Sequence, residues 1–198
     1  MALTKSGEVS LFAIASVTSN TVSVGSGVDV STYYGGVVVA RMGRATSSAF
    51  TTAPICRIEA SPKTSPTADE WTVLARFQPV VGASIGSQAV SGTEAAGQTV
   101  VTLAAGTNFA GGDYVFFHNT TIGNSEWSRV VSVSSADLTL EEGIVSAQTS
   151  ATCRDQAEQF FALLDLTPWN RLRAVIDGRA TGQANIWEVL LTGVTALV

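Results

Sequence analysis

Apolar and polar residues alternate singly along most of this chain, and a period of two admits little besides β-strand. In "EWTVLARFQ" (70–78), Trp71, Val73, Ala75 and Phe77 fall on one face, with Thr72, Arg76 and Gln78 on the other. In "NRLRAVID" (170–177), Leu172, Ala174 and Ile176 alternate with Arg171, Arg173 and Asp177, and Trp187, Val189 and Leu191 share a face of the next run. Half-polar strands of this kind suit antiparallel sheets packed on one side. The same pattern predicts strands at 9–19, 21–30, 36–42, 55–60 and 160–166. Turn chemistry separates them: "GSG" at 25–27, "SPKTSP" at 61–66, "TPWN" at 167–170 and "DGRATGQ" at 177–183. The stretch "DQAEQFFALLDL" admits a helix as well, because Asp155 and Glu158 have the spacing of a capping box. Its short turn into a clear strand favours strand.

From 81 to 152 the rhythm changes. Small residues dominate, and "GQTVVTLAAG", "GDYVFFHN", "SEWSRVVSVS" and "ADLTLEEG" read as four or five short strands, entered through a flexible stretch at 82–97. The heavier aromatic strands on either side share one core. The expected fold is therefore all-β: an antiparallel, jelly-roll-like β-sandwich from residues 1–80 and 153–198, interrupted by a small β-barrel-like module at 81–152. Such an insertion leaves from a loop, where added length costs little closure entropy.

Charge is scarce. Only 14% of residues are charged, against roughly 25% in ordinary soluble domains. Lys5 and Lys63 are the only lysines beside nine arginines. Interfaces favour arginine over lysine, so the bias fits a surface covered by neighbours; a genome-wide composition bias fits equally well. A net charge of −5 and a pI near 4.8 argue against a nucleic-acid partner, which requires clustered cations. No run approaches the ~18 apolar residues of a membrane span. The opening "MALTKSGEVSLFAIASV" is broken by Glu8 and reads as a first strand, without an export signal. Two cysteines, Cys56 and Cys153, then sit in a reducing compartment as buried free thiols, or as a bridge if their strands are neighbours.

Catalytic constellations are hard to assemble. The single histidine, His118, alternates with Tyr114 and Phe116 in "YVFFHN" and reads as structural. There is no G-x-S-x-G elbow, no H-E-x-x-H, and no metal-ligand spacing of cysteines. Glu141 and Glu142 form a solvated strand end, and Asp165 and Asp177 cap turns more readily than they bind calcium. Asn119-Thr120-Thr121 matches a glycosylation sequon, which matters only in a secreted chain. Trp127 is either a core residue of the module or an exposed anchor. No catalytic, cofactor-binding or metal-binding residue is assigned, no cofactor is expected, and the chain is not expected to be an enzyme.

Three stretches resemble bacteriophage virion proteins with β-sandwich folds. "VDVSTYYGGVVVARMGR" is similar to their opening strands, and "CRIEASPKTSPTADEWTVLARF" to their strand, loop and W-x-x-L strand element. "LTPWNRLRAVIDGRATGQANIWEVLLTG" is similar to their closing R-Y-L-R-V strand, glycine-rich turn and final strand. The long "SPKTSPTAD" loop and the inserted module depart from that pattern. The resemblance implies a virion protein assembled in the bacterial cytoplasm: a capsid cement or decoration protein bound as a homo-oligomer, a trimer by analogy, to the major capsid protein or other virion proteins. A neck or tail accessory is the alternative it leaves open. A receptor- or carbohydrate-binding sandwich, using Trp127, Trp169, Tyr33 and Tyr34, would need two of those rings on one patch. Arg171, Arg173 and Arg179 either form a solvated face or dock on acidic neighbours.

Overall fold

A computed structural model describes residues 3–80, 82 and 84–197. The extreme ends of the expected 1–80 and 153–198 segments, and Val81 and Ala83 at the start of 81–152, lie outside the described residues. In chain order the first strands are β1 (Leu3–Val17), β2 (Val22–Val24), β3 (Val28–Asp29), β4 (Gly35–Arg44), β5 (Ile55–Ser61) and β6 (Thr72–Phe77). Then come β7 (Ser87–Ala89), β8 (Thr93–Glu94), β9 (Val100–Thr102), β10 (Tyr114–His118), β11 (Glu126–Ser134), β12 (Asp137–Leu140), β13 (Gln148–Thr149) and β14 (Thr152–Arg154). The chain finishes with β15 (Glu158–Asp165), β16 (Arg171–Asp177) and β17 (Asn185–Leu197). The only helical turn among the described residues is a 3-10 turn at Ile122–Asn124. The ambiguous 155–166 stretch is strand.

Every strand pairing among the described residues is antiparallel. One sheet runs β1-β17-β4-β15, and the sheet facing it runs β2-β16-β5-β6, with β3 also on β16. Counting β2 and β3 as one interrupted strand, the eight sandwich strands lie in the order 1-8-3-6 over 2-7-4-5, which is the jelly roll. The expected 21–30 strand is split because Gly25 folds onto β1: a Cβ there would lie 1.9 Å from the Leu11 carbonyl oxygen. Only glycine tolerates that approach.

The alternation read from β16 and β17 is realised. Leu172, Ala174, Ile176, Trp187, Val189 and Leu191 are all buried in the core between the sheets. Phe160 bridges that core, its ring 5.5 Å from Phe77 and 6.2 Å from Trp187. In β6 the alternation fails. Glu59 pairs with Val73 and Ile58 with Ala75, so Leu74 bulges out of register and turns inward. Val73, expected inside, is exposed, because one extra residue inverts the faces on either side of a bulge.

Among the described residues, strands β7 to β14 pair only with one another. Six of them form a sheet in the order β7-β14-β10-β11-β12-β9 whose ends meet. Val90 bridges to Leu103, the Ser91 N–H donates to the Thr102 carbonyl at 2.8 Å, and the Ala104 N–H to the Ala89 carbonyl at 2.8 Å. The curled sheet encloses its own core of Val101, Leu103, Val115, Phe117, Leu138 and Cys153. The stretch 82–97, expected to be a flexible entry, contains β7 and β8. Its small side chains carry little signal, and it is ordered by backbone pairing with β14 and β13.

Candidate functional surface

The outward face of the β1-β17-β4-β15 sheet is built in rows across β15, β4 and β17, because residues directly opposite share a face. Nearest the inserted sheet, Gly43 lies opposite Ile186. The fully buried Phe116 of β10 packs there with Ile186 and Ala157, and Trp127, opposite Phe116 on β11, completes the contact with ring centroids 4.8 Å apart. Trp127 is thus half-buried at the seam between inserted sheet and sandwich, where its indole N–H has no acceptor.

The next row is Gln159, Arg41 and Glu188. Arg41 donates from Nη1 to Glu188 Oε2 at 3.0 Å, and a cleft lined by Arg41, Tyr114, Glu126, Arg129, Glu141 and Gln159 opens beside them. Burial pushes the Tyr114 hydroxyl up to about 12. Glu126 is already engaged by the backbone N–H groups of Val145 at 2.7 Å and Ser146 at 3.3 Å.

Beyond that row the face becomes apolar and open. Phe161, Val39 and Leu190 form one row, and Leu163, Val37 and Thr192 the next. Phe161 is 64% exposed and Leu163 86%. A shallow apolar hollow of about 300 Å³, lined by Leu163, Val37, Gly36, Thr192 and Gly193, adjoins them. These two residues were hidden in the sequence, where "FFALLDL" reads as core throughout. The available signal was that both faces of the run are apolar while neighbouring strands alternate.

On the arginine face the side chains of Arg173 and Arg171 are committed internally. Arg173 donates from Nε and Nη2 to Glu59 Oε2 at 3.0 and 2.8 Å, and its guanidinium lies 4.0 Å above the Trp71 ring. Arg57 Nε reaches Glu59 Oε1 at 3.2 Å. Arg171 Nε donates to the Thr64 carbonyl at 2.8 Å. Of Arg179 it is the backbone N–H that Asp177 accepts, at 2.9 Å.

The other chemically notable residues are hydrogen-bonded within the chain or wholly or partly buried. Asp165 accepts hydrogen bonds from the Thr167 N–H and hydroxyl, at 3.0 and 2.7 Å. The Asn119 side-chain amide is buried and donates to Gln148 Oε1 at 3.2 Å. His118 is half-buried against Phe116, and burial, reinforced by Arg154, holds its pKa below the ordinary value. Cys56 and Cys153 are free and buried on strands that are not neighbours. Burial pushes the Cys56 thiol up to about 12 and raises Cys153 as well. Of Trp127, Trp169, Tyr33 and Tyr34, only Tyr34 is exposed. Among the described residues no helix is long and apolar enough to cross a membrane. No family model matches this chain, and no curated relative matches it.

Proposed function

We propose that this chain is a non-enzymatic structural protein of a bacteriophage particle, a cement or decoration protein that binds the capsid surface and stabilises the head. Its neighbours are the major capsid protein and further copies of itself, and it assembles in the bacterial cytoplasm. The observation that carries this reading is the exposure of Phe161 and Leu163 on an edge strand, while Glu59, Asp165, Arg173 and both thiols are engaged or buried. Exposed apolar patches on soluble proteins mark places where something docks.

The jelly roll alone does not choose, since the fold occurs in capsid proteins, lectins and cupins alike. A sugar-binding sandwich stacks its ligand on exposed rings, and three of the four candidate rings are half-buried. The test is to purify particles, separate heads from tails, and measure this chain in each fraction by mass spectrometry. Enrichment with heads is expected, and adding the purified protein to heads that lack it should raise the temperature at which they release DNA. Recovery only with tails would replace the head assignment by a neck or tail role. Absence from the particle would end the structural reading.

A further inference from the structure

The sandwich protects its strand edges unevenly. Unpaired edges invite association with other strands, and proteins blunt them with bulges, charges or short strands. The β1 edge has four register irregularities along its pairing with β17, and carries Lys5 and Glu8. On the opposing sheet one edge is split into β2 and β3, of three and two residues, and the other, β6, is bulged at Leu74 and presents Arg76 to solvent. Strand β15 is neither bulged nor short, and its two charges, Glu158 and Asp165, sit at its ends and leave Gln159 to Leu164 uncharged. It pairs with β4 through eight consecutive residues without a shift, has no strand on its far side among the described residues, and projects Phe161 and Leu163 outward.

We propose that β15 is an interface for a second copy of this chain, joined edge to edge as an antiparallel pair about a two-fold axis through Ala162. The sequence "EQFFALLD" is self-complementary in that register. With Ala162 opposite Ala162, Phe161 of one copy meets Leu163 of the other on the outer face, at the rim of the apolar hollow. Phe160 meets Leu164 on the inner face, where both are only half-buried in the single chain. Gln159 meets Asp165, an amide donor opposite a carboxylate. Shifting the register by one residue would set Glu158 against Asp165 at both ends and inward Phe160 against outward Leu163, and a shift of two would set Phe161 against Asp165 or Gln159 against Leu163, so charge and side-chain direction select the same alignment. The pairing joins two four-stranded sheets into one of eight strands.

An isologous contact closes at two copies; the threefold closure drawn from the phage resemblance would need a different surface. An eight-residue edge falls short of the ~800 Å² per partner of a standard stable interface, so the dimer forms at micromolar concentrations.

The test is sedimentation velocity on the full chain from about 1 to 200 µM. A monomer–dimer equilibrium is expected. Leu163→Lys and Phe161→Lys, both at exposed positions, should raise the dissociation constant at least ~100-fold with unchanged circular dichroism. Ala162→Cys, treated with oxidised glutathione, should form a covalent dimer, whereas Leu164→Cys should not. A chain that stays monomeric throughout, a dimer indifferent to both lysine variants, a trimer, or crosslinking through Leu164→Cys alone would each overturn the proposal. The measurement is made in solution, so absence of the chain from phage heads would leave its result intact.

Discussion

Arg173 holds Glu59 through two nitrogens on one carboxylate oxygen, while its flat face covers Trp71 and Arg57 takes the other oxygen. Glu59 is therefore a buried anion shared between two cations on the outer face of the β16-β5 pair. Removing it leaves two like charges facing one another without a counter-ion. Glu59→Ala should lower unfolding free energy by about 2–4 kcal/mol, read from urea or guanidinium midpoints. Arg173→Lys keeps the charge but loses the second donor and the flat stack over Trp71, and should cost about 1 kcal/mol. Equal losses in the two variants would contradict the shared-anion geometry.

The seam between inserted sheet and sandwich depends on a missing side chain. A Cβ on Gly43 would lie 2.4 Å from the ring of the fully buried Phe116. Gly43→Ala should therefore destabilise by about 1–3 kcal/mol and shift the emission of Trp127, which packs on Phe116. Phe116→Leu in the same chain should recover part of that loss, and a double-mutant cycle gives the coupling. Additive effects would mean the two residues do not touch.

His118 predicts a pH dependence. Its folded-state pKa lies below the ordinary 6.5, from burial first and then the charge of Arg154. Above that value folded and unfolded chains are both neutral at this site and it contributes no slope. As pH falls through 6.5 the unfolded chain takes up its proton first, and stability declines until the folded pKa is also passed. Asp155 and Glu158, raised chiefly by burial, act in the opposite sense at lower pH: the folded chain is protonated first, and acidification favours it. Comparison with His118→Gln isolates the histidine. The variant should gain on the wild type as pH drops from about 7 to 5, with a constant difference above about pH 7; a flat difference across the whole range would count against the assignment.

The two thiols report on two cores. Cys56 lies between the sandwich sheets and Cys153 inside the curled sheet. Because the thiolate is the reactive form, both should resist thiol reagents in the native chain and react on unfolding. Following each site by mass spectrometry in rising denaturant shows whether the cores open together. The Phe116 packing across the seam predicts that they do, within about 1 kcal/mol. Modification of Cys153 well before Cys56 would show the inserted sheet opening by itself.

The strands were legible wherever alternation and burial agree, as in β16 and β17, because a sheet covered on one side forces that pattern on the sequence. The β6 bulge was not, since the residue that steps out of line is chosen by the partner strand, and Trp71 and Val73 were assigned to the wrong face accordingly. Phe161 and Leu163 were missed for a related reason. Whether an apolar strand lies at the centre or the edge of a sheet depends on the order 1-8-3-6, a long-range property, and a run apolar on both faces such as "FFALLDL" fits a central strand as well as an edge one. The arginine run at Arg171 and Arg173 was visible, but its partner Glu59 lies more than a hundred residues earlier, so its commitment to the fold was not.

Strands β1 and β17 lie side by side, with Leu3 opposite Leu197 and Val17 opposite Asn185. Load applied to Leu3 and Leu197 together would open this ladder like a zip, one rung at a time, and a zip yields to small forces. Load entering instead through one of these strands and leaving through the far edge at β15 would be spread over all the rungs of the sheet at once. Force directed along the strands and drawn off at that edge shears those rungs together, whereas force at Leu3 and Leu197 parts them in turn.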